Sequence, residues 1–349
     1  MGDPQAPFAK LLEVLDHHGA LAGDRLASDV VLVSIGDHFD YDLHDWYTAG
    51  QEGLRFLRWL ASHSDAQVKL LLGNHDVSRV MELAAITDDR FSQARAFARA
   101  LDGDDDRDAK FLAAFPELPT PGLAGRDFAS FSVEQRTLVT ELLLAGRFQL
   151  ALVGELASGR DVLLTHADVT HRELAMLGVP AAPRAIAAAL QALLARAIDR
   201  VRGDWVVGVP APLSLEPLHL AGIPGEEGGG LLYHRPTNPE RADADKRWEL
   251  APDRPRRFDP RTLPVGLVQI AGHTGHSKCL SELGAWATAA AQARPHGGIR
   301  TLRLAGQTVT YDLGVAEPAN DVADLILIDG EIRRVPAGEV ALLPLARVL

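Results

Sequence analysis

Four turns of the chain carry side chains that can bind metal ions or move protons, and each turn follows an apolar run. The densest is Gly73-Asn74-His75-Asp76, directly after Lys69–Leu72. The others are Gly36-Asp37, Thr165-His166 and Gly272-His273. Glycine lets the backbone turn sharply beneath a bound group. The recurrence of carboxylate, amide and imidazole groups in one setting indicates a shared site.

The oxygen and nitrogen ligands in these turns suit borderline divalent ions such as manganese, iron, zinc and cobalt. There are more of them than one ion needs, which indicates two ions that share a carboxylate. Two ions about 3.5–4 Å apart clamp a phosphoryl group and activate water for in-line attack. A nearby histidine oriented by a carboxylate then protonates the leaving alkoxide. The sequence therefore predicts a two-metal site for phosphoryl chemistry.

A parallel sheet is needed to bring these turns together. The runs Asp29–Ile35 and Lys69–Leu72 are typical of buried strands, and a helix from about Ala49 to Ser62 lies between them, as in a βαβ unit. Two further strands, Arg160–Thr165 and Val265–Ala271, lead into the remaining turns. Because the carboxyl ends of parallel strands share one edge of a sheet, the turns should converge there.

The rest of the chain is assigned by pattern within a single domain of residues 1–349. Residues 77–150 are predicted to form a helical insertion or cap, and residues 222–262 an irregular exposed loop. An apolar stripe that starts at Ile186 predicts an amphipathic helix that ends at Gly203. The apolar run Leu325–Gly330 is typical of an antiparallel strand and a turn.

Composition excludes several classes of protein. The net charge of -12 disfavours a general nucleic-acid binder, because neutralising phosphates needs a basic surface. The one cysteine, Cys279, leaves no partner for an intramolecular disulfide and fits a reducing compartment. No apolar run reaches the roughly 18 residues that indicate a membrane span. A cytoplasmic protein with neither disulfides nor a membrane segment is therefore expected.

The motifs GDxxD at Gly36–Asp40, GNHD at Gly73–Asp76, a strand-end His166 and the turn Gly272-His273-Thr274 occur in an order that resembles the calcineurin-like metallophosphoesterases. The resemblance spans Asp3 to His276. It implies an α/β fold, a four-layer α/β/β/α sandwich of two mixed sheets with a helical insertion. It also implies two divalent metal ions, with manganese favoured, and hydrolysis of phosphate esters by a metal-bridging hydroxide.

Residue roles follow from the same resemblance. Asp37 would bridge the two ions, and the remaining metal ligands would be Asn74, His166 and His273 at the second ion and Asp3, Gln5 and His276 at the first. His75 would be the general acid, oriented by Asp76 or Asp40. Arg235 would contact the substrate phosphate.

Several positions depart from the family pattern. Gln5 stands where the family has histidine, and Tyr41-Asp42 stands where phosphoprotein phosphatases carry Arg-Gly. His273 and His276 are separated by two residues, where much of the superfamily has one. No apolar run precedes Asp3, so the strand beneath it is expected to be missing or short. The first metal position is therefore expected to be weak or tuned to manganese.

The sequence leaves the substrate open. The segments Thr165-His166-Ala167 and Tyr233–Pro236 resemble the branch that contains serine/threonine phosphoprotein phosphatases and symmetrical diadenosine tetraphosphate hydrolases. A phosphomonoesterase or protein phosphatase-like enzyme is predicted first. The alternatives are a nucleotide, dinucleoside polyphosphate or phosphodiester hydrolase, and a catalytically weak phosphate-sensing or scaffold protein. The expected partner is accordingly a phosphorylated small molecule, a nucleotide or a phosphoprotein.

Overall fold

The structure is a computed structural model and describes residues 1–42, 44–241 and 254–349. Its α-helices include α1 (Phe8–His17), α2 (Trp46–Ala61), α3 (Asn74–Val77), α4 (Asp88–Ala100), α5 (Arg107–Ala114), α6 (Val133–Leu144), α7 (His171–Leu177), α8 (Pro183–Val206), and two more at His276–Leu283 and Thr288–Ala293. Its strands are β1 (Leu21–Ala22), β2 (Arg25–Leu26), β3 (Leu32–Ser34), β4 (Val68–Leu71), β5 (Phe148–Gln149), β6 (Ala151–Glu155), β7 (Asp161–Thr165), β8 (His219–Leu220), β9 (Gly229–Gly230), β10 (Arg235–Pro236), β11 (Arg257–Phe258), β12 (Val268–Ala271), β13 (Arg300–Ala305), β14 (Thr308–Leu313), β15 (Val322–Leu327) and β16 (Arg347–Val348). Among the described helices, none combines the length and apolarity needed to cross a membrane.

Two larger sheets carry the site. A seven-stranded mixed sheet has the order β14-β13-β15-β12-β7-β6-β16, and a three-stranded sheet has the order β3-β4-β5. Within the first, β12 is parallel to both β7 and β15. The three described strands of the second are all parallel, where the sequence predicted mixed pairing. Helix α2 connects β3 to β4 and the helices of residues 88–144 connect β4 to β5, which suits parallel pairing.

The strand that precedes the Gly73 turn is buried on both faces. Leu71 belongs to an apolar cluster that fills the space between the two sheets together with Val33, Ile35 and Ile270. Leu70 and its neighbour Leu72 belong instead to the cluster formed with the helices. Burial on both faces explains the unbroken run of leucines. A strand with one face exposed would instead alternate apolar and polar residues.

Helices cover the outer faces of the sheets, giving the predicted four-layer α/β/β/α arrangement. Helix α8 packs on β6 and β7, and the helices within residues 276–293 pack on the outer face near β15. The segment 77–150 contains α4 to α6, and aromatic side chains of α4, α5 and the connections beside them form an apolar cluster that also includes Tyr233. That segment ends in β5, a strand of the smaller sheet that the sequence did not predict.

Three local expectations change. Helix α8 continues through Gly203 to Val206, because Trp205 is buried and its indole N–H donates to the Ala211 carbonyl. Although β15 pairs antiparallel with β13 as predicted, it is parallel to β12 on its other side. The predicted loop of residues 222–262 contains β9, β10 and β11; its residues 242–253 lie outside the described residues.

The start of the chain lies beside β3. The Met1 amino group donates to the Val33 carbonyl at 2.8 Å, and the Ile35 N–H donates to the Met1 carbonyl at 3.1 Å. This is the hydrogen-bond pattern of a parallel neighbour. Asp3 is therefore positioned by backbone pairing even though no apolar run precedes it.

Candidate metal centre

Glycines allow the ligand turns to approach one another more closely than side chains would permit. A Cβ on Gly73 would lie 2.2 Å from Asp37 Oδ1, and a Cβ on Gly36 would lie 2.6 Å from the Gly73 nitrogen. A Cβ on Gly272 would lie 2.2 Å from Asp3 Oδ1. The predicted glycine-polar pattern therefore reflects steric clearance as well as backbone bending.

Asp37, His166 and His273 form a buried cluster in which one ligand atom from each lies within 4.8 Å of the others. The His166 ring donates from Nδ1 to the Ile35 carbonyl at 2.7 Å, so the neutral imidazole has its lone pair on Nε2. That nitrogen lies 3.0 Å from Asn74 Oδ1 and 3.4 Å from Asp37 Oδ1. Three lone-pair atoms face one another here, an arrangement that a cation would stabilise.

The His273 ring adds a further free lone pair. Its Nε2 is buried and has no hydrogen-bond partner in the part of the chain that the structure describes. Burial, reinforced by Arg235 and His166, holds the pKa of His273 well below its ordinary value, so the ring is neutral. Its backbone N–H donates to both carboxylate oxygens of Asp3, at 2.9 and 3.0 Å. The donor set thus fits a divalent ion held by Asp37, Asn74, His166 and His273.

A second, oxygen-rich region adjoins this cluster. Asp3 and Gln5 both line the same cavity as Asp37. Gln5 donates from Nε2 to the Phe39 carbonyl at 3.0 Å, which leaves its amide oxygen available. Burial raises the pKa of Asp3 well above its ordinary value, and the nearby charges of Asp329 and Asp37 add to the effect. These residues could hold the other ion together with Asp37.

His75 is held by a buried carboxylate. Its Nδ1 lies 2.9 Å from Asp40 Oδ2, and its Nε2 lies 3.8 Å from Asp37 Oδ2 beside the cavity. Asp40 also accepts hydrogen bonds from the fully buried Arg79 at 2.6 Å and from the Ser130 N–H at 2.9 Å. Burial would raise the pKa of Asp40, but Arg79 and His75 outweigh it and lower the pKa to about 2. Asp40 is therefore ionised.

Asp76, the other carboxylate predicted to orient His75, faces elsewhere. It accepts hydrogen bonds from the backbone N–H groups of Asp37, His38 and Gly73, at 3.0, 3.2 and 3.0 Å. Its Oδ1 also lies 3.0 Å from His38 Nδ1. Burial alone would raise the pKa of Asp76, but the His38 ring and these amides lower it. Asp76 ties together the two turns that carry Asp37 and Asn74.

The cavity beside these residues has a volume of about 480 Å³. Its wall includes the predicted phosphate ligand Arg235, together with Tyr41, Lys278, Arg333 and Arg334. Arg235 is half-buried, and its Nε has no hydrogen-bond partner among the described residues. The cavity therefore places positive charge opposite the carboxylates.

His276 is not brought to the metal centre. It neither lines the cavity nor belongs to the cluster of Asp37, His166 and His273. It is the first residue of a helix, and its charged neighbours are Arg294, His296 and Arg300. Burial lowers its pKa to about 3, and those charged neighbours add to the effect. Tyr41, which stands where phosphoprotein phosphatases carry arginine, does line the cavity.

Two residues near the site were missed by sequence reasoning. Arg79 follows His75 by four residues and contacts its carbonyl oxygen, but its partner Asp40 is distant in sequence. Asp329 lines the cavity at the end of β15. Its signal was present in the sequence as an apolar run that ends in a carboxylate, the pattern of the other turns.

Comparison with known proteins supports the family resemblance. The family model for calcineurin-like phosphoesterases matches residues 1–206, more than half of the 349-residue chain. This range contains Asp3, Asp37, Asn74, His75 and His166. No curated protein and no solved structure matches the chain significantly.

Proposed function

Because the chain belongs to the calcineurin-like phosphoesterases, a family of enzymes that hydrolyse phosphate esters with metal ions, we propose that it is a two-metal phosphomonoesterase or protein phosphatase-like enzyme that favours manganese. The observation that carries the proposal is the convergence of Asp37, His166 and His273 within 4.8 Å. The two ions, when bound, would activate water and offset the negative charge of the phosphoryl group.

The protein's own residues divide the remaining work. Asn74, His166 and His273 would hold one ion, Asp3 and Gln5 the other, and Asp37 lies between the two sets. His75 would donate a proton from Nε2 to the leaving oxygen, since Asp40 engages its Nδ1. Burial lowers the pKa of His75, but Asp37 and the hydrogen bond to Asp40 outweigh burial and raise it. The ring is thus suited to carry a proton.

Arg235 would bind the substrate phosphate. Among the described residues no carboxylate lies within salt-bridge distance of it, and a guanidinium offers paired N–H donors that match phosphate oxygens. Arg235→Lys should raise KM by about tenfold and leave metal binding unchanged. Arg184→Lys, on an exposed arginine paired with Asp161, serves as the control.

A nucleotide or dinucleoside polyphosphate is the second candidate substrate. The cavity of about 480 Å³ exceeds the needs of a single phosphate and falls in the range of small-molecule sites. Lys278, Arg333 and Arg334 add positive charge beyond Arg235. A chain of several phosphates would use these additional cations, whereas a phosphomonoester would not.

A substrate panel measured with manganese tests the proposal. It contains an aryl phosphate, a phosphopeptide, a dinucleoside polyphosphate and a cyclic nucleotide, each assayed before and after chelation. Faster turnover of the aryl phosphate or phosphopeptide supports the first candidate, and faster turnover of the polyphosphate supports the second. Turnover that survives complete metal removal contradicts both. Phosphate binding without turnover, in protein that holds at most one ion, supports the phosphate-sensing alternative.

A further inference from the structure

The first metal position lacks both imidazoles that the family pattern places there. Gln5 replaces one, and His276 lies outside the cavity. Asp3, Gln5 and the shared Asp37 remain, and they supply only oxygen atoms. A further ligand would have to come from a residue outside the family motifs.

Asp329 occupies the position equivalent to His273 on the neighbouring strand. Strands β12 and β15 are parallel, with Ala271 paired to Leu327. His273 and Asp329 each follow that pair by two residues, so both emerge at the same edge of the sheet. Sheet register, rather than a sequence motif, brings this carboxylate to the centre.

Close backbone packing places Asp329 beside Asp3. A Cβ on Gly2 would lie 2.3 Å from the Ile328 carbonyl oxygen and 2.8 Å from the Asp329 Cα. Only glycine fits so tightly against that peptide, and the next residue is Asp3. Asp3, Gln5, Asp37 and Asp329 all line the same cavity.

The Asp329 carboxylate has an available oxygen. Asp329 is only 9% exposed, and its Oδ1 accepts a hydrogen bond from the Glu331 N–H at 3.0 Å. Its Oδ2 has no hydrogen-bond partner among residues 1–42, 44–241 and 254–349. Neither Asp3 nor Asp329 forms an ion pair within that part of the chain. Buried carboxylates without a direct ion-pair partner are costly, and a divalent ion bound between them would offset their charge.

An independent observation also indicates a cation in this cavity. His273, only 6% exposed, lines it with a neutral ring whose buried Nε2 has no partner in the described part of the chain. The unpartnered nitrogen of His273 and the Asp329 carboxylate follow the neighbouring strands β12 and β15, so both groups reach the same edge of the sheet.

We propose that Asp329 is a metal ligand of the first position and completes an all-oxygen set with Asp3, Gln5 and Asp37. This inference rests on the two-metal function proposed above. Oxygen ligands favour hard ions such as magnesium and manganese, while the imidazoles of the second position suit softer ions as well. The two positions therefore differ in metal preference.

Manganese titration of the full chain, followed by calorimetry and by electron paramagnetic resonance, tests the assignment. Wild type should bind two ions with a spin-coupled signal. Asp329→Asn keeps an acceptor for the Glu331 N–H but should lower the affinity for one of the two ions. The loss should be at least roughly 10–100-fold, the effect of removing a residue that only hydrogen-bonds to a metal ligand. Glu331→Gln, which alters a carboxylate in the same cavity, should bind as wild type does.

Thermal unfolding separates ligation from a structural role. Asp329→Asn removes repulsion between carboxylates, so without metal its Tm should equal or exceed that of wild type. Added manganese should then raise its Tm less than it raises that of wild type. Two ions bound to Asp329→Asn with wild-type affinity would overturn the Asp329 assignment alone. Failure of wild type to bind two ions would overturn both this inference and the proposed two-metal function.

Discussion

The Asp76 carboxylate accepts hydrogen bonds from both the backbone N–H and the ring Nδ1 of His38, at 3.2 and 3.0 Å. Its other oxygen accepts from the Asp37 and Gly73 N–H groups. Asp76 therefore holds two metal-binding turns in register without facing the cavity.

Asp76→Asn should destabilise the fold and weaken metal binding together. An amide cannot accept on both sides, so buried N–H groups would lose their acceptor at a cost of roughly 1–3 kcal/mol each. Urea unfolding and manganese titration measure the two effects. The exposed Asp16 provides a control, since Asp16→Asn should change the free energy of unfolding by less than about 0.5 kcal/mol. Unaltered metal affinity in Asp76→Asn would contradict the positioning role.

Asp40 should make stability depend on pH in the acidic range. Its pKa is lowered from 3.8 to about 2 in the folded protein, so the folded state favours the carboxylate. That contribution is present above pH 4 and is lost as the pH falls towards 2; it amounts to roughly 2 kcal/mol.

Asp40→Asn removes this dependence and leaves the buried Arg79 without its charged partner. The stability difference between wild type and Asp40→Asn should therefore be largest near neutral pH and shrink below pH 4. Denaturant unfolding at several pH values measures it. A difference that stays constant down to pH 2 would rule out the ion pair as its cause.

His75→Asn should lower kcat by roughly 10²–10⁴-fold, the usual contribution of a general acid. Metal binding should persist, because the ring nitrogen near Asp37 is 3.8 Å away and belongs to neither ligand set. The loss should shrink for aryl phosphates with good leaving groups, which depart without a proton. An equal loss for every leaving group would argue against proton donation. His171→Asn, at an exposed position, is the matched control.

Gly73→Ala should disrupt the metal centre through steric overlap alone. The new methyl group would lie 2.2 Å from Asp37 Oδ1 and 2.4 Å from the Asp37 nitrogen, so one turn must move. Manganese binding, measured by calorimetry, should fall more than tenfold. Gly203→Ala lies within a helix with open space around it and should instead stabilise the protein by roughly 0.5–1 kcal/mol. Retained metal binding in Gly73→Ala would show that the turns are not fixed against each other.

Much of the framework could be predicted from local sequence. The strands before Asp37, Asn74, His166 and His273 are short apolar runs that end in polar residues, and that information lies within each segment. The parallel pairing of β3 and β4 followed from the helix between them. These strands and their pairing depend on a few neighbouring residues, and the structure shows them where the sequence predicted them.

The remaining features depend on distant contacts. Asp40, rather than Asp76, contacts His75 because Asp76 is engaged by the His38 ring and by backbone amides. His276 does not line the cavity, although Ser277 and Lys278 of the same helix do, and the spacing from His273 did not reveal this orientation. Asp329 reaches the cavity through the parallel pairing of β15 with β12. The pattern of apolar and polar residues along one strand does not reveal which strand it pairs with.

The short helical turn Ile332–Arg334, which follows Asp329, would contribute to substrate selectivity but not to the metal-binding turns. It supplies Arg333 and Arg334 to the cavity wall, yet the glycine-cleared turns that hold Asp37, Asn74 and His166 are built elsewhere in the chain. Replacing Arg333 and Arg334 by libraries of other side chains, with the buried Ile332 kept, should therefore redirect which phosphorylated compounds are accepted while the reactive centre stays intact. This segment is the natural starting point for engineering new selectivity into the scaffold.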